Sequence, residues 1–202
     1  RRPGAARPAY LRMSAGADIV DHSPGCAGSP GIPVTKDTSM HALTEAQIRA
    51  SLINVTQSER RNLTLPAEFS DTPWDAFDFY GARDRKLALV GYVVAELDGE
   101  PTGLLLRQAE SKPRTRAQCA WCADVHLPND VLLFTAKRVG DAGRRGDTVG
   151  TLACDRFQCN ANVRKLPPLA YTGFDREAAR AARIAAMRTN VEAFVRAVRD
   201  GV

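Results

Sequence analysis

Cys119-Ala120-Trp121-Cys122 and, after 31 intervening residues, Cys154-Asp155-Arg156-Phe157-Gln158-Cys159 decide how this chain is read. A Cys-x-x-Cys turn is tight enough to aim two sulfurs at one point. The second pair, with four residues between its cysteines, can bring two more. Four thiolates in two short clusters are the ligand set of one tetrahedral structural zinc. The competing reading, buried reduced cysteines with no metal, explains such clustering poorly. The candidate metal ligands are therefore Cys119, Cys122, Cys154 and Cys159. A zinc closed by four sulfurs has no open position, so it shapes a surface for a partner and does no chemistry.

Around the cysteines the pattern of elements fits that site. Residues 131–138 and 148–153 read as a strand pair, joined by a Gly- and Arg-rich loop at 140–147. Cys159 is expected in the first turn of a following helix, where free N–H groups favour thiolate charge. Knuckle, hairpin and ligand-bearing helix start make the treble-clef arrangement. His126 is the nearby residue that could replace a sulfur. Asp124 and Asp155 adjoin the ligands but match no deaminase or protease pattern. A Gly-rich phosphate loop after a strand is missing, and so is a nucleophile elbow. A hydrolase or deaminase with an open zinc is the weakest reading, and no catalytic residue is expected.

Working outward, 89–97 and 103–108 read as a hairpin with a slightly long turn at Asp98-Gly99-Glu100-Pro101-Thr102. A short helix is expected around Trp74 to Phe79, ended by Gly81 and presenting Trp74, Phe77 and Phe79 or Tyr80 to a core. Upstream, Leu43-Thr44-Glu45-Ala46-Gln47-Ile48 is a helix start. Thr44 and Gln47 are spaced for a capping box, and Leu43 and Ile48 for a hydrophobic staple. That helix is expected to reach Val55 or Gln57, with Ile48, Leu52 and Val55 inward. Asn54-Val55-Thr56 and Asn62-Leu63-Thr64 match glycosylation sequons and are read as chance matches. From 174 to 199 an apolar stripe of Ile184, Met187, Val191, Phe194, Val195 and Val198 marks a helix expected to dock on its own domain, with an oligomerisation or partner helix as the alternative. Residues 1–39, rich in Gly, Pro, Ala and Ser, are expected to be disordered, with Met40 resembling a natural start and Cys26 irrelevant to the metal. The domain expectation is a disordered extension (1–39), a helical segment (40–73), a zinc-binding domain (74–170) and an amphipathic helix (171–202). The fold class is α+β.

Composition sets the partner class. Hydrophobic residues make up 44% and charged residues 25%, as in a soluble globular protein. The longest uncharged apolar run, 87–95, is far short of a membrane span, and no secretory signal is evident. A cytoplasmic, reducing setting is expected, in which clustered thiols are metal ligands and not disulfides. Residues 107–165 carry eleven Lys or Arg against six Asp or Glu, an excess equal to the +5 of the whole chain. Such a patch favours an acidic partner, and it also partly compensates the −2 of a zinc with four thiolates. Lys137, Arg138, Arg144, Arg145, Arg156, Arg164 and Lys165 are the candidate partner-binding residues.

Gln118 to Cys122, then Leu133-Phe134-Thr135-Ala136-Lys137-Arg138, then Gly143 to Thr151 and the Cys154–Cys159 pair resemble one family. This is the C-terminal treble-clef domain of elongation factor G-binding proteins, the FusB-type fusidic acid resistance proteins and their actinobacterial FBP relatives. Residues 74–83 and the hairpin at 89–108 are also similar. The resemblance implies Zn²⁺ on the four cysteines and a non-enzymatic, monomeric protein binding elongation factor G, with the ribosome or its RNA as a further candidate partner. It implies neither a small-molecule substrate nor a membrane. The resistance proteins carry a substantial N-terminal helical bundle, whereas here a helix or two within residues 44–65 is expected ahead of the shared region. Direct RNA binding, with Trp121 or Phe157 stacking on bases, is the alternative.

Overall fold

The computed structural model describes residues 39–110, 115–124 and 128–201. The stretch expected to be disordered, with Cys26, lies outside the described residues up to position 38, and so does His126.

Helix α1 (Glu45–Ser51) starts as its sequence requires. The Gln47 N–H donates to Thr44 Oγ1 at 3.3 Å, and the Thr44 N–H donates to Gln47 Oε1 at 2.8 Å. Leu43 and Ile48 are both buried in one cluster. The helix stops at Ser51, short of the expected Val55, because Leu52 turns extended and runs beside a strand. A second capping box, Thr56 with Glu59, opens α2 (Gln57–Asn62). Each such cap is worth about 1 kcal/mol.

The helix expected over Trp74 to Phe79 is not formed. A single 3₁₀ turn (Trp74–Ala76) leads instead into strand β1 (Phe79–Arg83). Aromatics at 74, 77 and 80 mimic helical spacing, yet Phe79 and Tyr80 are buried in separate clusters, as alternation along a strand dictates. Strands β2 (Val90–Leu97) and β3 (Glu100–Gln108) follow. Their turn is tighter than expected, with Asp98 and Gly99 as its two central residues at φ 56° and 86°. Two positive φ values in a two-residue loop match the right-handed strand twist, and Asp-Gly suits them.

Strand β4 (Val131–Lys137), helix α3 (Gly140–Arg144) and strand β5 (Thr148–Cys154) come next, then α4 (Cys159–Arg164) and α5 (Arg176–Asp200). The five strands form one antiparallel meander in chain order. Strands β3 and β4 pair at Arg107↔Thr135 and Gln108↔Phe134 and then splay. Asn54 fills the gap. Its Nδ2 donates to Leu105 O at 3.0 Å and Lys137 O at 3.1 Å, while its Oδ1 accepts from Leu105 N–H at 2.8 Å.

Both faces of the sheet are covered, which is why β2 is apolar almost throughout. Tyr92 and Val94 join Met40, Leu43, Ile48, Leu52, Leu63 and Leu65 on one face. Val93, Ala95 and Leu97 face the other, with the cysteine region and the α5 stripe of Met187, Val191, Phe194, Val195 and Val198. At ~1.5–3 kcal/mol per large apolar side chain buried, this second face dominates the fold's stabilisation. Polar residues of α5 fix its position: Arg183 reaches Asp124 at 2.5 Å, Arg188 reaches Asp78, and Arg196 reaches Asp98 at 2.8 Å. No helix among the described residues is long and apolar enough to cross a membrane.

Candidate metal centre

Cys119 and Cys122 sit on a turn closed by the Ala123 N–H, which donates to Cys119 O at 2.9 Å, with Ala123 at φ 50°. The Ala120 N–H donates to Leu152 O at 2.7 Å and ties this turn to β5. Trp121 drives the turn inward. Its ring is 1% exposed, stacks on Phe157 with centroids 5.8 Å apart, and meets Phe79 edge-on at 5.4 Å. Cys154 ends β5, and Cys159 opens α4. Between them Phe157 takes a left-handed backbone (φ 60°), a costly conformation for an aromatic residue, and so returns the chain towards Cys159.

The four sulfurs converge. Cys119 Sγ lies 3.6 Å from Cys159 Sγ, Cys122 Sγ lies 3.8 Å from Cys154 Sγ, and all four are within 4.8 Å of one another and buried. A tetrahedron with ~2.3 Å zinc–sulfur bonds has sulfurs ~3.8 Å apart, so the cradle fits that ion. Left to themselves, four thiols packed this closely do not ionise together. Hydrogen bonds from Cys122, Cys154 and Cys159 draw Cys119 far below the ordinary thiol value, and contact with Cys119 pushes Cys154 and Cys159 up. A divalent cation resolves this conflict, because coordination deprotonates the thiols outright.

The surrounding shell adds residues that the cysteine pattern alone did not single out. Asn162, one turn along α4 from Cys159, points Nδ2 at Cys154 Sγ (3.5 Å) and at Asn129 Oδ1 (3.3 Å). Asp124 and Asp155, beside the ligands, are engaged by Arg183 and by Gln158 Nε2 (3.0 Å).

The candidate partner-binding residues fall in different settings. Lys137, Arg138 and Arg144 line one cavity of about 640 Å³ together with Arg107. Arg156 lines another, of about 610 Å³, with Arg83, Asp130 and Asp155. Arg145 and Lys165 are exposed. Arg164 is half-buried, its Nη1 2.9 Å from Asp78 Oδ2. Trp121 and Phe157 are 1% and 3% exposed, so neither offers a ring to a nucleobase, as the RNA reading required. They serve the core.

A cysteine knuckle docked on a β-hairpin, with the last ligands carried by the hairpin's end and the next helix, defines a treble-clef zinc finger within an α+β fold, and Zn²⁺ is its metal. The model of the FBP C-terminal treble-clef zinc-finger family matches residues 47–198, and the chain belongs to that family. Among solved structures, the fusidic acid resistance protein FusC is similar at 19% identity and a TM-score of 0.46, over 62% of this chain and 54% of that one. The chain thus spans about half the length of FusC. No curated protein matches it.

Proposed function

We propose that Cys119, Cys122, Cys154 and Cys159 hold one structural Zn²⁺, and that the zinc-ordered domain is a non-enzymatic binding module for elongation factor G. The observation that carries this reading is the convergence of four buried thiols within 4.8 Å, inside a chain that belongs to the FBP zinc-finger family. Four sulfurs leave the metal no vacant position for water or substrate. The zinc therefore acts through architecture: it fixes the knuckle, the end of β5 and the start of α4 relative to one another. The basic side chains between and after the cysteine pairs are then presented as a pattern that an acidic partner surface can read. The ribosome is a secondary partner of the same chemistry.

The test is isothermal titration of the zinc-loaded protein with purified elongation factor G, with co-elution on gel filtration as a second readout. A saturable complex is expected. The absence of both heat and co-elution at every accessible concentration would end this reading. An RNA titration run alongside separates the alternative, since phosphate contacts make affinity fall steeply with salt.

A further inference from the structure

The splay between β3 and β4 creates a basic groove that the cysteine pattern does not reveal. Beyond Arg107↔Thr135 the two strands part, and residues 52–55 enter the gap, with Asn54 bonded to both strands. One wall of the resulting cavity is residues 53–59. The other is the end of β4 and the connection to α3. Its volume is about 640 Å³, and a narrower pocket of about 200 Å³ under Arg107, Lys137 and Thr148 extends it.

Its lining is lopsided in charge. Arg107, Lys137, Arg138 and Arg144 face Glu59, whose Oε1 lies 2.8 Å from Arg107. Among the described residues Arg144 pairs with Asp141, so exposed a pair that it contributes little. Lys137 and Arg138 have no carboxylate partner among the described residues. Neither cation is neutralised by a carboxylate there, and Arg138 Nη1 lies against Gly201, at the C-terminal end of α5.

We propose that this groove seats an acidic segment of a protein partner, its Asp or Glu side chains paired with Lys137 and Arg138. The proposal deepens the functional reading above and rests on it for the identity of that partner. Three features select protein over nucleic acid. No lining residue is aromatic, so bases have nothing to stack on. Ile53, Val55 and Val139 share the lining with the cations and suit aliphatic side chains. Glu59 stands in the wall, where it repels a continuous run of phosphates more than spaced carboxylates. Recognition is through side chains, because Asn54 already occupies the backbone groups of Leu105 and Lys137.

The test compares zinc-loaded wild type, K137E/R138E and the equally charged control R85E/K86E, which changes two exposed residues outside the groove. Each is titrated with elongation factor G, with fluorescein-labelled octaglutamate and with labelled octauridylate; zinc content and melting confirm folding. K137E/R138E is expected to bind elongation factor G and octaglutamate roughly tenfold more weakly or worse, and the control to stay within about twofold. Unchanged binding of both by K137E/R138E overturns the proposal. So does octauridylate binding that is tighter than octaglutamate and lost in the same variant. If elongation factor G binds no variant while octaglutamate still depends on the pair, the partner assignment fails and the groove stands. If elongation factor G binds wild type and K137E/R138E alike, the groove fails and the partner assignment stands.

Discussion

Phe157 lies directly on Gly81: a Cβ at position 81 would come 2.6 Å from Phe157 Cβ. Gly91, on the neighbouring strand, is covered by the same ring, its added Cβ meeting Phe157 Cε2 at 2.7 Å. Phe157, one of the four residues between the last two cysteines, is therefore seated on bare backbone of β1 and β2. Gly81→Ala is expected to cost about 1–3 kcal/mol, since the crowding atom belongs to a ring base that cannot swing away. Urea unfolding at saturating zinc measures it. An unchanged midpoint would show that the ring can move aside.

Zinc removal should unfold the described core, because the knuckle brings Trp121 and α4 brings Val163 into the same cluster as α5. Structural zinc sites of this type contribute roughly 10–16 kcal/mol to folding. Serine replacement of Cys119, Cys122, Cys154 or Cys159 is expected to abolish stoichiometric zinc and the cooperative melt, and Cys26→Ser to leave both intact. Metal analysis and calorimetry read the two outcomes. A chelated protein that melts as before would contradict the assignment.

Asp78 is a buried carboxylate, its side chain 1% exposed, held by Arg188 from α5 and Arg164 from α4. Its backbone N–H donates to Asn160 Oδ1 at 2.9 Å. Stripping a buried acid of its cations costs about 3–5 kcal/mol, because the charge stays buried. The double variant Arg164→Ala/Arg188→Ala is thus expected to be more damaging than Asp78→Asn, which leaves two part-exposed arginines free to reach water. Denaturation midpoints in the reverse order would refute this.

Glu59 accepts from the Thr56 N–H at 2.9 Å, from Thr56 Oγ1 at 3.0 Å and from Arg107 at 2.8 Å, and these bonds, the backbone one foremost, hold its carboxyl below the ordinary value of 4.5. A lowered folded value means that the stabilisation is complete above the unfolded Glu range and is lost as pH falls through the folded value. The Glu59 side-chain carbon resonance should still report an ionised group at pH 4.5. Half-titration there would show that the cap is not formed. Arg107→Ala should raise the midpoint.

What could be read from the residues was what depends on near neighbours. The Thr44–Gln47 cap spans four residues, each cysteine pair six at most, and the α5 stripe repeats with helical period. Thr56-Gln57-Ser58-Glu59 carried the same capping signature and was legible too, though the helix through Val55 obscured it. Strand β1 was hidden because its character comes from pairing with β2 and from the Phe157 ring over Gly81, both distant in sequence. Asn54 looked like a chance sequon, and its work, bridging β3 and β4, cannot be seen before those strands are known to part. Arg164 was grouped with surface cations for the same reason: Asp78 is far away along the chain.

Helix α5 follows all four cysteines in the chain, yet it supplies one whole wall of the cluster that contains them. That cluster is therefore complete only once the last described element has docked, and Arg183 on Asp124 and Arg188 on Asp78 are the ion pairs that hold it there.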